Sequence, residues 1–129
     1  MAIAPPRKRW FNAAMTAKFA YKLLTAEDAA KADADGQTAA AVDLADGYVH
    51  LSTRAQLAET ARRYFSNAPG AVLLEYELST LGDVRWEPSR GGDLFPHLYG
   101  ALSPAAASRR WTLPSGTDGA PVLPGDLKP

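Results

Sequence analysis

Cysteine is absent from this 129-residue chain. That excludes a disulfide framework, a thiolate metal site and a cysteine nucleophile. Long apolar runs are missing too, none approaching the ~20 residues of a membrane-spanning helix. No apolar stretch follows Arg7, Lys8 and Arg9, so the start does not read as a secretory signal. Large hydrophobic side chains are fewer than composition suggests. Of the 60 residues in the apolar class 25 are alanine, which leaves 35 able to bury much area. At roughly 25 cal/mol per Å² of buried apolar surface, they support one modest core and a single domain. These features together lead us to expect a cytoplasmic protein without a membrane partner.

Acid is missing from the first 22 residues, which hold five basic side chains. Residues 23–129 then carry nine basic and 14 acidic residues, a net charge of −5. A body of that sign disfavours a nucleic-acid groove. Residues 1–18, with Pro5 and Pro6, read as a flexible tail, and Met1 and Met15 are alternative starts. Residues 114–129 hold four prolines and three glycines, which predicts a second tail packing little against the domain. The folded unit is expected over 19–113.

Within it, Phe19–Leu24 reads as a strand and Thr25 as the N-cap of a helix ending before Gly36. Residues 37–46 read as a loop and Gly47–Ser52 as a strand. Thr53 and Gln56 have capping-box spacing ahead of a helix with Leu57, Ala58, Ala61, Tyr64 and Phe65 on one face. Ala71–Leu78 alternates Val72, Leu74, Tyr76 and Leu78 against Glu75 and Glu77. Short strands follow at 84–87, 94–99 and 108–113. Two early helices with strands clustered late predict an α+β fold.

Only two histidines occur, each inside a dense motif. In Asp46-Gly47-Tyr48-Val49-His50-Leu51-Ser52-Thr53-Arg54, alternation gives Val49 and Leu51 to the core and turns Tyr48, His50 and Ser52 to solvent or a cleft. Arg54 sits in the first turn of the following helix, where its charge opposes the dipole and a bound phosphate would relieve the conflict. In Leu94-Phe95-Pro96-His97-Leu98-Tyr99, the polar face carries Phe95, His97 and Tyr99, with Trp86-Glu87 just upstream. Aromatic walls with few polar groups suit a planar heterocycle. Other chemistries lack their motifs: there is no H-E-x-x-H, no G-x-G-x-x-G, no Walker loop and no G-x-S-x-G. His50 and Ser52 lie roughly 6.5–7 Å apart along one strand face, too far for direct activation of the serine.

Tyr21-Lys22-Leu23-Leu24-Thr25, the D-G-x-x-H-x-S-T run of 46–53 and the F-P-H-x-Y-G run of 95–100 resemble the bacterial domain of unknown function 952 family. That family is similar in fold to the ADP-ribosyltransferases, including the RNA 2′-phosphotransferases. The resemblance implies a split β-sheet and a cleft for NAD or another nucleotide. Within that candidate pocket we expect catalytic roles for His50, His97 and Glu87, with Lys22, Ser52, Thr53, Arg54, Trp86 and Tyr99 binding the cofactor. Two functions stay open at this point: an NAD-dependent transferase or phosphotransferase, and a non-catalytic module for a nucleotide or small anion.

Overall fold

The computed structural model describes residues 16–129; the basic residues 7–9 and Met15 lie outside them. From Phe19 on, six strands and three helices follow one another among the described residues. They are β1 (Phe19–Leu24), α1 (Ala26–Asp35), α2 (Ala41–Asp46), β2 (Val49–His50), α3 (Arg54–Tyr64), β3 (Val72–Glu77), β4 (Val84–Pro88), β5 (Leu94–Leu98) and β6 (Arg109–Thr112). The class is α+β, built on two antiparallel three-stranded sheets with orders β1-β3-β6 and β2-β5-β4. No helix among the described residues is long and apolar enough to cross a membrane.

Local chemistry explains the helix ends. Thr25 Oγ1 accepts from the Asp28 N–H at 3.0 Å, and Gly36 closes α1 in the left-handed region at φ 82°. The Thr53 N–H donates to Gln56 Oε1 at 3.0 Å at the start of α3. The same amide's nitrogen donates to the Leu94 carbonyl at 2.7 Å, tying the helix start to β5. Leu57 and Ala61 are buried on α3, whereas Ala58 and Tyr64 of the predicted apolar face are exposed.

Two hydrophobic clusters fill the interior. One joins the sheets, taking Ala20, Leu24, Val72, Leu74 and Tyr76 from the first, Val49 and Leu98 from the second, and Ala29 and Ala32 from α1. The other packs Tyr21, Leu23 and Leu73 against Leu57 and Ala61 of α3, with Leu113 and Leu127.

Four sequence expectations need correction. Among the described residues there is an early helix beyond the two expected, because residues 41–46 of the expected loop form α2. The strand expected over 47–52 is divided: Val49 and His50 pair with β5, while Ser52 turns to the other sheet and bridges Tyr21. Glu75 is completely buried, not solvent-facing, because Arg109 stands opposite it in the β3–β6 register. Finally, residues 114–129 form no helix or strand, yet the segment is packed rather than loose. Leu127 is buried, Asp126 pairs with Arg109 at 2.9 Å, and the Lys128 N–H donates to the Tyr21 hydroxyl at 2.8 Å. Gly119, at φ 85°, accepts the Asn67 N–H at 2.8 Å; a Cβ there would lie 2.5 Å from Asn67 Oδ1. Apolar burial and isolated hydrogen bonds, from backbone and side chains alike, hold this segment in place of extended ladders.

Candidate functional site

The site grows from one register. His50 and His97 are direct partners in the antiparallel β2–β5 pair, so both imidazoles leave the same face with ring centroids 5.4 Å apart. The next strand adds Arg85 opposite His97, and Glu87 two residues on shares that face. Tyr48 stacks on His97 at 4.2 Å and also meets His50 and Tyr99, at 4.7 and 5.2 Å.

The two histidines are held differently. His50 is half-buried and lies between two carboxylates of α2, with Nδ1 2.6 Å from Asp43 Oδ1 and Nε2 3.0 Å from Asp46 Oδ2. Its backbone N–H also donates to Asp43 Oδ1 at 3.1 Å. Both ring nitrogens are engaged. His97 is 1% exposed and directs Nδ1 to Glu87 Oε1 at 2.8 Å, while Nε2 is buried with no hydrogen-bond partner among the described residues.

The surrounding charges are tightly coupled. Asp43 is buried and also receives the Lys22 ammonium, Nζ to Oδ2 at 2.7 Å; that ammonium donates to the His50 carbonyl at 3.1 Å. Burial pushes the Asp43 carboxyl up, but His50 and Lys22 outweigh it and hold the group below the usual aspartate range. Burial lowers the Lys22 ammonium from the ordinary lysine value against the opposing pull of Asp43. Hydrogen bonds from His97 and Tyr99 hold the Glu87 carboxyl below the glutamate range, so it is an anion at neutral pH. Tyr99 donates to Glu87 at 2.8 Å, which raises its own hydroxyl, and Arg85 covers its ring at 4.1 Å.

A cavity of about 400 Å³ adjoins this cluster. His97, His50, Lys22 and Ser52 supply polar lining, and Leu51, Phe95 and Tyr64 are among its apolar walls. The volume lies toward the small end of the ~300–1,000 Å³ typical of small-molecule sites. Among the described residues, no group of three or more His, Cys, Asp or Glu side chains is placed to hold a metal ion.

The residues singled out from sequence divide clearly. His50, His97, Glu87, Lys22 and Tyr99 gather in one cluster, and Ser52 lines the cavity with its hydroxyl 3.3 Å from Thr60 Oγ1. Three others do not join them. Trp86 pairs with Pro96 and leaves the opposite face of β4 from Glu87. Thr53 is buried at the start of α3 and is not part of the cavity wall. Arg54 donates from Nη1 to the Leu127 carbonyl at 3.1 Å, so the C-terminal segment holds the guanidinium that a phosphate was expected to engage. Asp43, Asp46 and Arg85 were not picked out as site residues. Asp43 carried no signal within its alanine-rich segment, whereas Asp46 stood at the head of the first histidine motif.

The chain belongs to the family described as Protein of unknown function (DUF952), which matches residues 23–109, about two thirds of its length. The match spans both histidine motifs and α2. The chain is also similar to protein CC0527 from Caulobacter crescentus, a structural genomics target. Against its crystal structure the identity is 43%, covering 81% of this chain and 94% of that one, with a TM-score of 0.76. Against the solution NMR structure of CC0527 the identity is 43%, covering 80% and 90%, with a TM-score of 0.70. No curated protein matches the chain.

Proposed function

We propose that this protein is a nucleotide-binding enzyme, ADP-ribosyltransferase-like or phosphotransferase-like, with NAD as its first candidate cofactor. One observation carries the reading: a buried imidazole, His97, is oriented by an ionised carboxylate at the wall of a mainly apolar cavity, with its second nitrogen unpartnered among the described residues. A carboxylate behind an imidazole sets the tautomer and steadies the ring as it takes up a proton. His97 is therefore the proton acceptor. Clamped by Asp43 and Asp46, His50 positions the neighbouring strand and α2, and Tyr99 steadies Glu87.

The unpartnered nitrogen and the apolar wall fit the heterocycle and ribose of NAD, next to His97, Ser52 and Phe95. NAD would supply an ADP-ribosyl group for transfer, with nicotinamide as the leaving group. The site for its phosphates is not Arg54. Two antiparallel sheets bordering one cleft support the ADP-ribosyltransferase-like reading of the fold. The acidic body, with a net charge of −5 over residues 23–129, supports a small-molecule partner over nucleic acid, acting in the cytoplasm.

Incubation with NAD tests the proposal, with nicotinamide release and ADP-ribose affinity both measured. Release is expected, falling by about 10²–10⁴-fold in His97→Gln while the variant keeps its fold. Neither release nor binding would overturn it. A second reading, a non-catalytic nucleotide module, is favoured by the engagement of Arg54 with Leu127. Binding without release would select that reading.

A further inference from the structure

The hydrogen bookkeeping of His97 specifies the kind of group the cavity receives. An ionised carboxylate can only accept hydrogen bonds. Glu87 Oε1 lies 2.8 Å from both His97 Nδ1 and the Tyr99 hydroxyl, so each of those two groups supplies a proton. In neutral His97 the hydrogen sits on Nδ1, and Nε2 presents a lone pair. That lone pair is buried and unbonded among the described residues. Leaving a buried acceptor unsatisfied is unfavourable, and it rewards any partner that brings a hydrogen.

The surroundings narrow the partner further. Around His97 the charges are already taken: Glu87 by His97 and Tyr99, and Asp43 by Lys22 and His50. Asp28 also lines the cavity, so among the described residues carboxylates outnumber the Lys22 ammonium there and disfavour an anionic group. Phe95 and the His97 ring in the cavity wall offer flat surfaces suited to a planar group.

We infer that His97 Nε2 is the acceptor for a hydrogen-bond donor on a planar ligand group without negative charge, an aromatic N–H, an exocyclic amine or a hydroxyl. The inference rests on His97 facing the ligand, as the proposed function has it. It adds that recognition there depends on a donated hydrogen rather than on negative charge. Phosphate, an acceptor without a planar face, belongs elsewhere.

A matched pair of probes tests this. Indole carries one N–H donor, and benzofuran has nearly the same shape with an acceptor oxygen in its place. Nitrogen-15 spectra of the full chain at neutral pH should show His97 protonated at Nδ1, with Nε2 moving on addition of indole. Indole should bind about tenfold or more tighter than benzofuran, the effect of one hydrogen bond to a buried acceptor. In Glu87→Gln, which no longer enforces the tautomer, the preference should shrink toward parity. A hydrogen on Nε2 in the wild type, equal or reversed preference, or binding of neither ring overturns the inference. ADP-ribose and NAD run alongside separate the two failures. If ADP-ribose binds while the rings are indistinguishable, the inference falls and the nucleotide reading stands. If indole is preferred while ADP-ribose does not bind and no nicotinamide is released, the nucleotide reading falls instead.

Discussion

The two sheets each bury an ionisable side chain, and the contrast between them separates architecture from chemistry. In the first sheet, Glu75 is completely buried, yet both of its oxygens are bonded, the Tyr21 hydroxyl being shared with the Lys128 carbonyl. Arg109 Nε and Nη2 lie 3.0 and 2.8 Å from its oxygens, Ser108 Oγ lies 2.8 Å away and the Tyr21 hydroxyl 3.1 Å. In the second sheet, His97 is equally enclosed but, among the described residues, bonded on one side only. A saturated network fixes a shape and has no capacity left for a ligand. A half-satisfied one is tolerated in a stable fold where something else completes it.

Breaking the saturated network should have the largest effect. Glu75→Ala leaves Arg109 with the exposed Asp126 as its ionic partner among the described residues, and should destabilise the fold by about 3–5 kcal/mol in urea unfolding. Ligand affinity per folded molecule should stay unchanged. A loss of affinity without a loss of stability would reverse the roles assigned to the two sheets.

Acid attacks both sheets at once. Asp43, Glu75 and Glu87 all titrate below their ordinary range in the fold. The unfolded values are ~3.9 for Asp and ~4.3 for Glu. The stabilisation from these carboxylates is therefore complete above about pH 5 and lost as the pH falls through the folded values. Thermal midpoints followed by circular dichroism from about pH 7 to about pH 3 should decline on the acid side. Glu75→Gln should flatten that decline by removing the first sheet's contribution.

Leu127→Ala comes next, at about 2 kcal/mol, because this side chain is 8% exposed within the second cluster. An unchanged midpoint would mean that the C-terminal segment is held by its hydrogen bonds alone. The smallest change is expected for Arg54→Ala, about 0.5–1.5 kcal/mol for one hydrogen bond to a carbonyl. ADP-ribose affinity should not change in this variant. A tenfold loss would return Arg54 to the site and restore the phosphate role read from its sequence position.

Legibility from sequence followed the range of the forces involved. Alternation placed Val49 and Leu51 inward and His50 outward, and it gave His97 and Tyr99 a common face, because strand geometry is set residue by residue. Thr25 and Gly36 likewise marked the ends of α1. α2 escaped because its N-cap, Ala40, offers no side-chain oxygen and its apolar residues Val42 and Leu44 are exposed. With it went Asp43, whose importance comes from Lys22 and His50, 21 and seven residues away. Glu75 misled for the same reason: alternation sends it outward, and only Arg109, 34 residues on, makes burial tolerable. The C-terminal segment lacked any repeating pattern, since its attachment runs through single contacts such as Leu127 and Tyr21.

Tyr21 stands where these regions meet. Its backbone exchanges two hydrogen bonds with Ser52, at 2.8 and 2.9 Å, bridging the two sheets. Its hydroxyl, pushed up to about 12 by burial and by Glu75, lies 2.6 Å from the Lys128 carbonyl. Neither sheet can separate from the other there without tearing that joint, and the chain's last residues are fastened to the same side chain. In amide exchange, the Tyr21 and Ser52 protons should therefore behave as a pair and be released together late. Their common rate would report the cooperative opening of the whole molecule rather than the fraying of either half.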